Sequence, residues 1–152
     1  MDVSNLRRGE IIAAIGGLML ALGVFLPAYS PNTDNPNASV AGGRVDASIW
    51  ETQTMLRILL LVAAVAPIVL LYIILRDNKL SWPRGELTAV IGLTATTLIF
   101  YTGVLDRPGE PSGEVGLTWG WLVAFLGALA VSAGGAIRAA DSERRRKPPG
   151  VL

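Results

Sequence analysis

Apolar residues gather into four uninterrupted stretches, Ile11–Leu26, Ile58–Leu75, Leu87–Leu105 and Leu117–Ile137, and none contains an Asp, Glu, Lys or Arg. A helix needs about 20 apolar residues to cross a bilayer core of about 30 Å. The last two stretches fit directly. The second lengthens if the helix begins near Gln53. The first is short, but the preceding Arg8-Gly9-Glu10 turn extends it, because an arginine can reach back to the interface. The pattern predicts an all-α membrane protein, a single domain over 1–152 built as a four-transmembrane-helix bundle with spans at 11–26, 53–75, 87–105 and 117–137.

Composition and charge add the setting and the orientation. Hydrophobic residues make up 51% of the chain and charged ones 16%, against about 25% charged in a soluble domain. Ten basic residues flank the spans on one side: Arg7, Arg8, Arg76, Lys79, Arg84, Arg138, Arg144, Arg145, Arg146 and Lys147. The other side carries Arg44 and Arg107, with Arg57 at the edge of the second span. Basic residues concentrate in cytoplasmic flanks, so both termini and the tail 139–152 are expected in the cytoplasm. The loops 27–50 and 106–116 then face outward. A competing reading takes Arg7-Arg8 and the first apolar run as a signal peptide cut near Ala28-Tyr29-Ser30, with Pro31 a poor context for the cut.

The segment Arg-Gly-Glu-x-x-Ala-x-Ile-Gly occurs at Arg8–Gly16 and again at Arg84–Gly92, with six identities in nine positions. The second and fourth spans both close on an apolar residue followed by Arg, at Leu75-Arg76 and Ile137-Arg138. Two tandem helical hairpins, a parallel repeat about an axis along the membrane normal, account for this; chance and shared capping needs are the alternative. Glu10 and Glu86 fall in first helical turns, where the helix dipole favours an anion. Pro83 suits the first position of its helix. A functional reading would pair the two carboxylates around a cation or proton.

Small residues recur at every fourth position of the last span: Gly120, Ala124, Ala128, Ser132 and Ala136, widened by Gly127 and Gly134. Ala13, Gly17 and Ala21 form a weaker stripe in the first. Small faces let membrane helices approach closely, either within one chain or as a seam between subunits. Pro67 interrupts the second span and frees the Ala63 carbonyl. In the third span Thr94, Thr97 and Tyr101 share one face by their spacing, alongside Thr88, Thr96 and Thr102. That row suggests either back-bonded hydroxyls or the wall of a polar path.

Arg57 is the sharpest single residue, because an ionisable group within a span is a functional candidate by default. Partners for it are Glu51, Asp46 or the loop acids Asp106, Glu110 and Glu114; a contact with a substrate or lipid headgroup is the other reading. Tyr29, Trp50, Trp119 and Trp121 are expected as an outer aromatic belt and Trp82 as its inner counterpart. Val40–Val45 reads as a small hairpin turning at Gly42-Gly43. Asn37-Ala38-Ser39 is a glycosylation sequon, relevant only in a secretory-pathway host. The chain has no Cys and no His, which removes thiolate chemistry, the usual zinc sites and His-ligated haem. No catalytic constellation, metal site or cofactor is expected; the loop acids would be the one place for a divalent cation. Arg144, Arg145, Arg146 and Lys147 lie beside a membrane helix, so they point to anionic lipid rather than nucleic acid. Pro148–Leu152 are expected to be unstructured.

Arg8-Gly9-Glu10, Leu26-Pro27-Ala28-Tyr29-Ser30, Trp50-Glu51 and the Gly/Ala-rich last span closing on Arg138 together resemble uncharacterised four-span integral membrane proteins of actinobacteria. Ala28 stands where that pattern has Trp. The resemblance covers most of the chain and implies a multi-pass protein of the bacterial inner membrane; it brings no activity. Claudin-like tetraspans share the span count but need an outer-loop Cys pair. Four-span drug exporters need a Glu deep in the first span. The expected role is non-enzymatic: an accessory subunit or homo-oligomer acting through helix association. The alternative is a small transporter or channel component using the third span and Arg57. An enzyme acting on lipid through carboxylates and hydroxyls has no motif behind it.

Overall fold

A computed structural model describes residues 8–76 and 84–146. Arg7, Lys79, Trp82, Pro83, Lys147 and Pro148–Leu152 lie outside the described residues. Four helices are long and apolar enough to cross a membrane, and they form the predicted all-α bundle. In chain order the elements are α1 (Arg8–Phe25), β1 (Pro27–Pro31), β2 (Ala47–Ser48), α2 (Ile49–Thr52), α3 (Thr54–Leu75), α4 (Arg84–Phe100), β3 (Val115–Leu117) and α5 (Trp119–Arg146). A π-helical turn, Tyr101–Leu105, continues α4 to the end of its span.

α5 is the central helix. It packs most extensively against α1 and α4, while α3 leans on α1 and touches α4 and α5 lightly. The repeated motif explains both large interfaces. A Cβ on Gly9 would lie 2.6 Å from the Gly134 carbonyl oxygen, and one on Gly16 would lie 2.7 Å from that of Gly127. On the other side, a Cβ on Gly85 would meet the Ala139 nitrogen at 2.5 Å and one on Gly92 the Ser132 nitrogen at 2.3 Å. Equivalent glycines, seven residues apart in each copy, therefore bring α1 and α4 onto α5. Their footprints, 127/134 and 132/139, are offset by five residues, about 140° around the α5 axis.

The small-residue stripe of α5 is spent inside the chain. Gly120, Ala124 and Ala128 are buried and Ser132 is half-buried, its hydroxyl donating to the Ala89 carbonyl at 3.3 Å. Ala136 departs from the expectation of one continuous face and is exposed. Each four-residue step overshoots a 3.6-residue turn by about 40°, so five such residues drift off any one face. Gly134 and Gly135 make the close approaches at that end instead. α5 also runs to Arg146 rather than ending at Ile137. Ala139 and Ala140 favour helix, and Gly85 packs against Ala139.

The two connecting loops build a three-stranded antiparallel sheet, order β2-β1-β3, at the end of the bundle away from Arg8 and Arg138. β1 pairs Tyr29 with Leu117 and Pro31 with Val115 on one side, and Pro27 with Ser48 on the other. Ser39 and Glu110 exchange backbone hydrogen bonds of 2.8 and 3.0 Å, tying the long loop to the short one. The hairpin at 40–45 shrinks to one turn. Val40 and Gly43 exchange bonds of 2.8 and 2.9 Å around Ala41 (φ 51°) and Gly42 (φ 77°), so the turn is centred one residue earlier than Gly42-Gly43. Two positive φ values in a row match the twist of a tight hairpin. Tyr29, Val40, Ile49 and Val115 beneath the sheet join Leu20, Val24, Leu60 and Ile99 of the helices in one core.

Two members of the expected aromatic belt turn inward instead, one fully buried and one half-buried. Tyr29 is fully buried, because the strand that carries it is the central one. Burial pushes its phenol up from the ordinary value, with the nearby Thr102 hydroxyl offsetting part of that. Among the described residues the Tyr29 hydroxyl has no hydrogen-bond partner, and Thr102 donates to the Leu98 and Ile99 carbonyls at 3.0 and 3.4 Å. Trp121 turns into the π-helical turn. Its indole donates to the Ile99 carbonyl at 3.1 Å, stacks on Phe125 at 5.0 Å, and fills the space over Gly103. A π turn releases carbonyls from the helical ladder, and Arg107 takes another, its Nε donating to the Gly103 oxygen at 2.6 Å. Trp119 and Trp50 remain at the surface.

Candidate functional site

The candidate residues fall at three places: the helix ends near Arg8, the outer face of α4, and the junction of α3 with the sheet. At the first, Glu10 of α1 forms an ion pair with Arg138 of α5, with side-chain exposures of 5% and 18%. Gly9 and Gly134 let the two helices come close enough for the charges to meet. A void of about 10 Å³ beside the pair is lined by Ala13, Pro67, Leu71 and Thr88, the minimum room for one water molecule. Glu86, the repeat equivalent of Glu10, is exposed on α4. The Glu10 carboxylate therefore faces an arginine, and its counterpart faces out of the bundle. Arg138 was legible as a helix-ending basic residue, but not as the partner of Glu10, since that requires knowing that α1 and α5 are neighbours.

On α4 the interior and exterior faces separate cleanly. Thr88 and Thr96 are buried, and Thr96 donates back to the Gly92 carbonyl at 2.8 Å. Thr94, Thr97 and Tyr101 are exposed and point away from the other three helices, in line with Glu86 and Val90. The row is thus not the wall of an internal path. Glycines at 85 and 92 set the inner face against α5, which turns the residues between them outward. Thr97 donates to the Leu93 carbonyl at 2.9 Å, while the Thr94 and Tyr101 hydroxyls make no hydrogen bond within the described chain.

No known protein family, curated protein or solved structure matches the chain. Its chemistry must be read from its own residues. Among the described residues no three acidic side chains converge in a way that could hold a metal ion. The loop acids are occupied separately. Glu114 accepts from the Asn32 amide at 2.6 Å, and Glu110 serves the bridge to Ser39 through its backbone.

The third place is the α3–sheet junction. Ser48 and Glu51 form a reciprocal cap on α2. Glu51 Oε2 accepts from the Ser48 backbone N–H at 2.8 Å and from its hydroxyl at 2.9 Å. The backbone hydrogen bond first, then the hydroxyl, hold the Glu51 carboxyl below the usual carboxylate range. The chain breaks at Gln53 and restarts as α3, which sets Arg57 one turn into the span. Its guanidinium lies 4.5 Å over the Trp50 ring and donates from Nη1 to the Trp50 carbonyl at 3.0 Å. Trp50 in turn packs on Phe25 at 5.2 Å. None of the expected carboxylates forms an ion pair with Arg57, although Asp46 and Glu51 line the same open cleft of about 360 Å³. The Arg57 Nε is buried without a hydrogen bond.

Proposed function

We propose that this is a non-enzymatic membrane subunit that acts by lateral association, with the outer face of α4 as its contact surface. The observation that carries this reading is the row Thr94, Thr97 and Tyr101 on the exposed side of a spanning helix. Thr97 is bonded back to the Leu93 carbonyl, but hydrocarbon offers the Thr94 and Tyr101 hydroxyls no partner, whereas a neighbouring helix does, and a polar side chain at a membrane helix contact is worth about 0.6–2 kcal/mol. The α5 stripe cannot serve this role at the same time, because α1 and α4 already occupy it. A transport role through the third span would need the same hydroxyls turned inward. In this reading both termini are cytoplasmic, the sheet faces outward, and Arg144–Arg146 and Lys147 sit against anionic lipid. A bacterial inner membrane is the setting the resemblance implies.

The combined variant Thr94→Val, Thr97→Val and Tyr101→Phe tests the reading. It keeps shape and removes three hydroxyls, so folding should be retained. Native mass spectrometry of gently extracted membranes is expected to show the wild type in a complex and the variant released from it. A variant that stays in the same complex at the same occupancy would refute the assignment of this face.

A further inference from the structure

Arg57 carries a positive charge at the level where a spanning helix meets the sheet, and among the described residues no carboxylate lies within ion-pair range of it. Its surroundings are not short of acids. Asp46 is exposed on the rim of the cleft, and Glu51 stands on its wall with one carboxylate oxygen committed to Ser48. Charges of both signs therefore share one cleft without neutralising each other. The cleft is lined by Trp50, an aromatic side chain of the kind that sits at headgroup level.

We propose that this cleft seats the phosphoethanolamine headgroup of a membrane lipid, with the phosphate on Arg57 and the primary ammonium between Asp46 and Glu51. An arginine is well suited to a phosphate because its fork of donors matches two oxygens. One hydrogen bond, to the Trp50 carbonyl, is made by the guanidinium, which leaves donors for a ligand. The charge balance decides the rest of the headgroup. One cation against two carboxylates disfavours a purely anionic lipid and calls for an amine on the ligand. A primary ammonium has three N–H donors for those carboxylates; a quaternary choline nitrogen has none. The Ser48 backbone N–H and hydroxyl hold the Glu51 carboxyl below the usual carboxylate range, so the acidic side of the cleft is charged at neutral pH. The acyl chains would run down the apolar side of α3 that lies below Arg57, past Leu61 and Val65.

The test is lipid retention. The protein is reconstituted in nanodiscs of phosphatidylcholine containing equal shares of phosphatidylethanolamine and phosphatidylglycerol, then released and weighed by native mass spectrometry. Phosphatidylethanolamine is expected to be retained at least about fivefold over either other lipid, a difference near 1 kcal/mol. Arg57→Gln is expected to abolish that retention. Asp46→Asn, an isosteric change at an exposed side chain, is expected to reduce phosphatidylethanolamine to the phosphatidylcholine level. Equal retention of the three lipids, a preference for phosphatidylglycerol, or an unchanged preference in Asp46→Asn would overturn the proposal. Free phosphoethanolamine added to delipidated protein separates the two sources of the headgroup. Binding of that compound with no retained phosphatidylethanolamine would overturn the lipid assignment.

Discussion

Arg138→Ala is expected to destabilise the bundle by about 3–5 kcal/mol, the usual cost of stripping one partner from a buried ion pair. Glu10 is nearly inaccessible and lies between α1 and α5, so its carboxylate would stay buried after losing the arginine as its counter-charge. The pair itself is a different matter. Replacing two buried charges by apolar groups of similar volume is often neutral, so Glu10→Met with Arg138→Leu should recover most of the loss. Thermal melting in detergent of the two single variants and the double variant reads this as a coupling energy. Strict additivity would mean that the pair is not formed.

Gly134→Ala is the second large effect. An added Cβ would lie 2.5 Å from the Gly9 oxygen, 2.6 Å from the Ala13 nitrogen and 2.9 Å from the Ala13 Cβ. The first two are backbone atoms, so α1 itself must move. Overpacking of this kind costs about 1–3 kcal/mol, beyond the gain of up to about 1 kcal/mol that alanine offers in a helix. Leucine at the same position should prevent α1 from docking altogether. Gly116→Ala is the control: its Cβ would lie 3.8 Å from the nearest atom, the Ser30 oxygen, and the change should stay within about 0.5 kcal/mol. Equal melting temperatures for the Gly134 and Gly116 variants would contradict the close α1–α5 seam.

The spans were legible because hydropathy is a property of single segments. Their ends were less so: the span expected at Ile11 starts at Arg8, and the helix expected to close near Ile137 runs to Arg146. The sheet left little trace. β2 is two residues and β3 three, too short for alternation to register, and β1 is bounded by Pro27 and Pro31. Depth along a span could be read, but not which way a side chain points. That is why Tyr29 and Trp121 read as belt residues while the fold buries one and half-buries the other. The same limit applies to Thr94, Thr97 and Tyr101, whose shared face was evident although its direction was not. Arg57 was singled out by its place near a span, yet its Trp50 contact depends on the break at Gln53. The repeated Arg-Gly-Glu segment was the most informative motif, since its glycines set both α5 interfaces.

The central claim, that the outer face of α4 is the contact surface, is tested most directly by site-specific photo-crosslinking in native membranes. A photoreactive residue at position 97 reports on α4. One at position 62, exposed on α3 and eight residues from the sheet end of its helix as Thr97 is from Leu105, is matched in depth. The account predicts a single adduct of defined mass from position 97 and only lipid adducts from position 62. Equal protein adducts from both positions, or none from position 97, would contradict it.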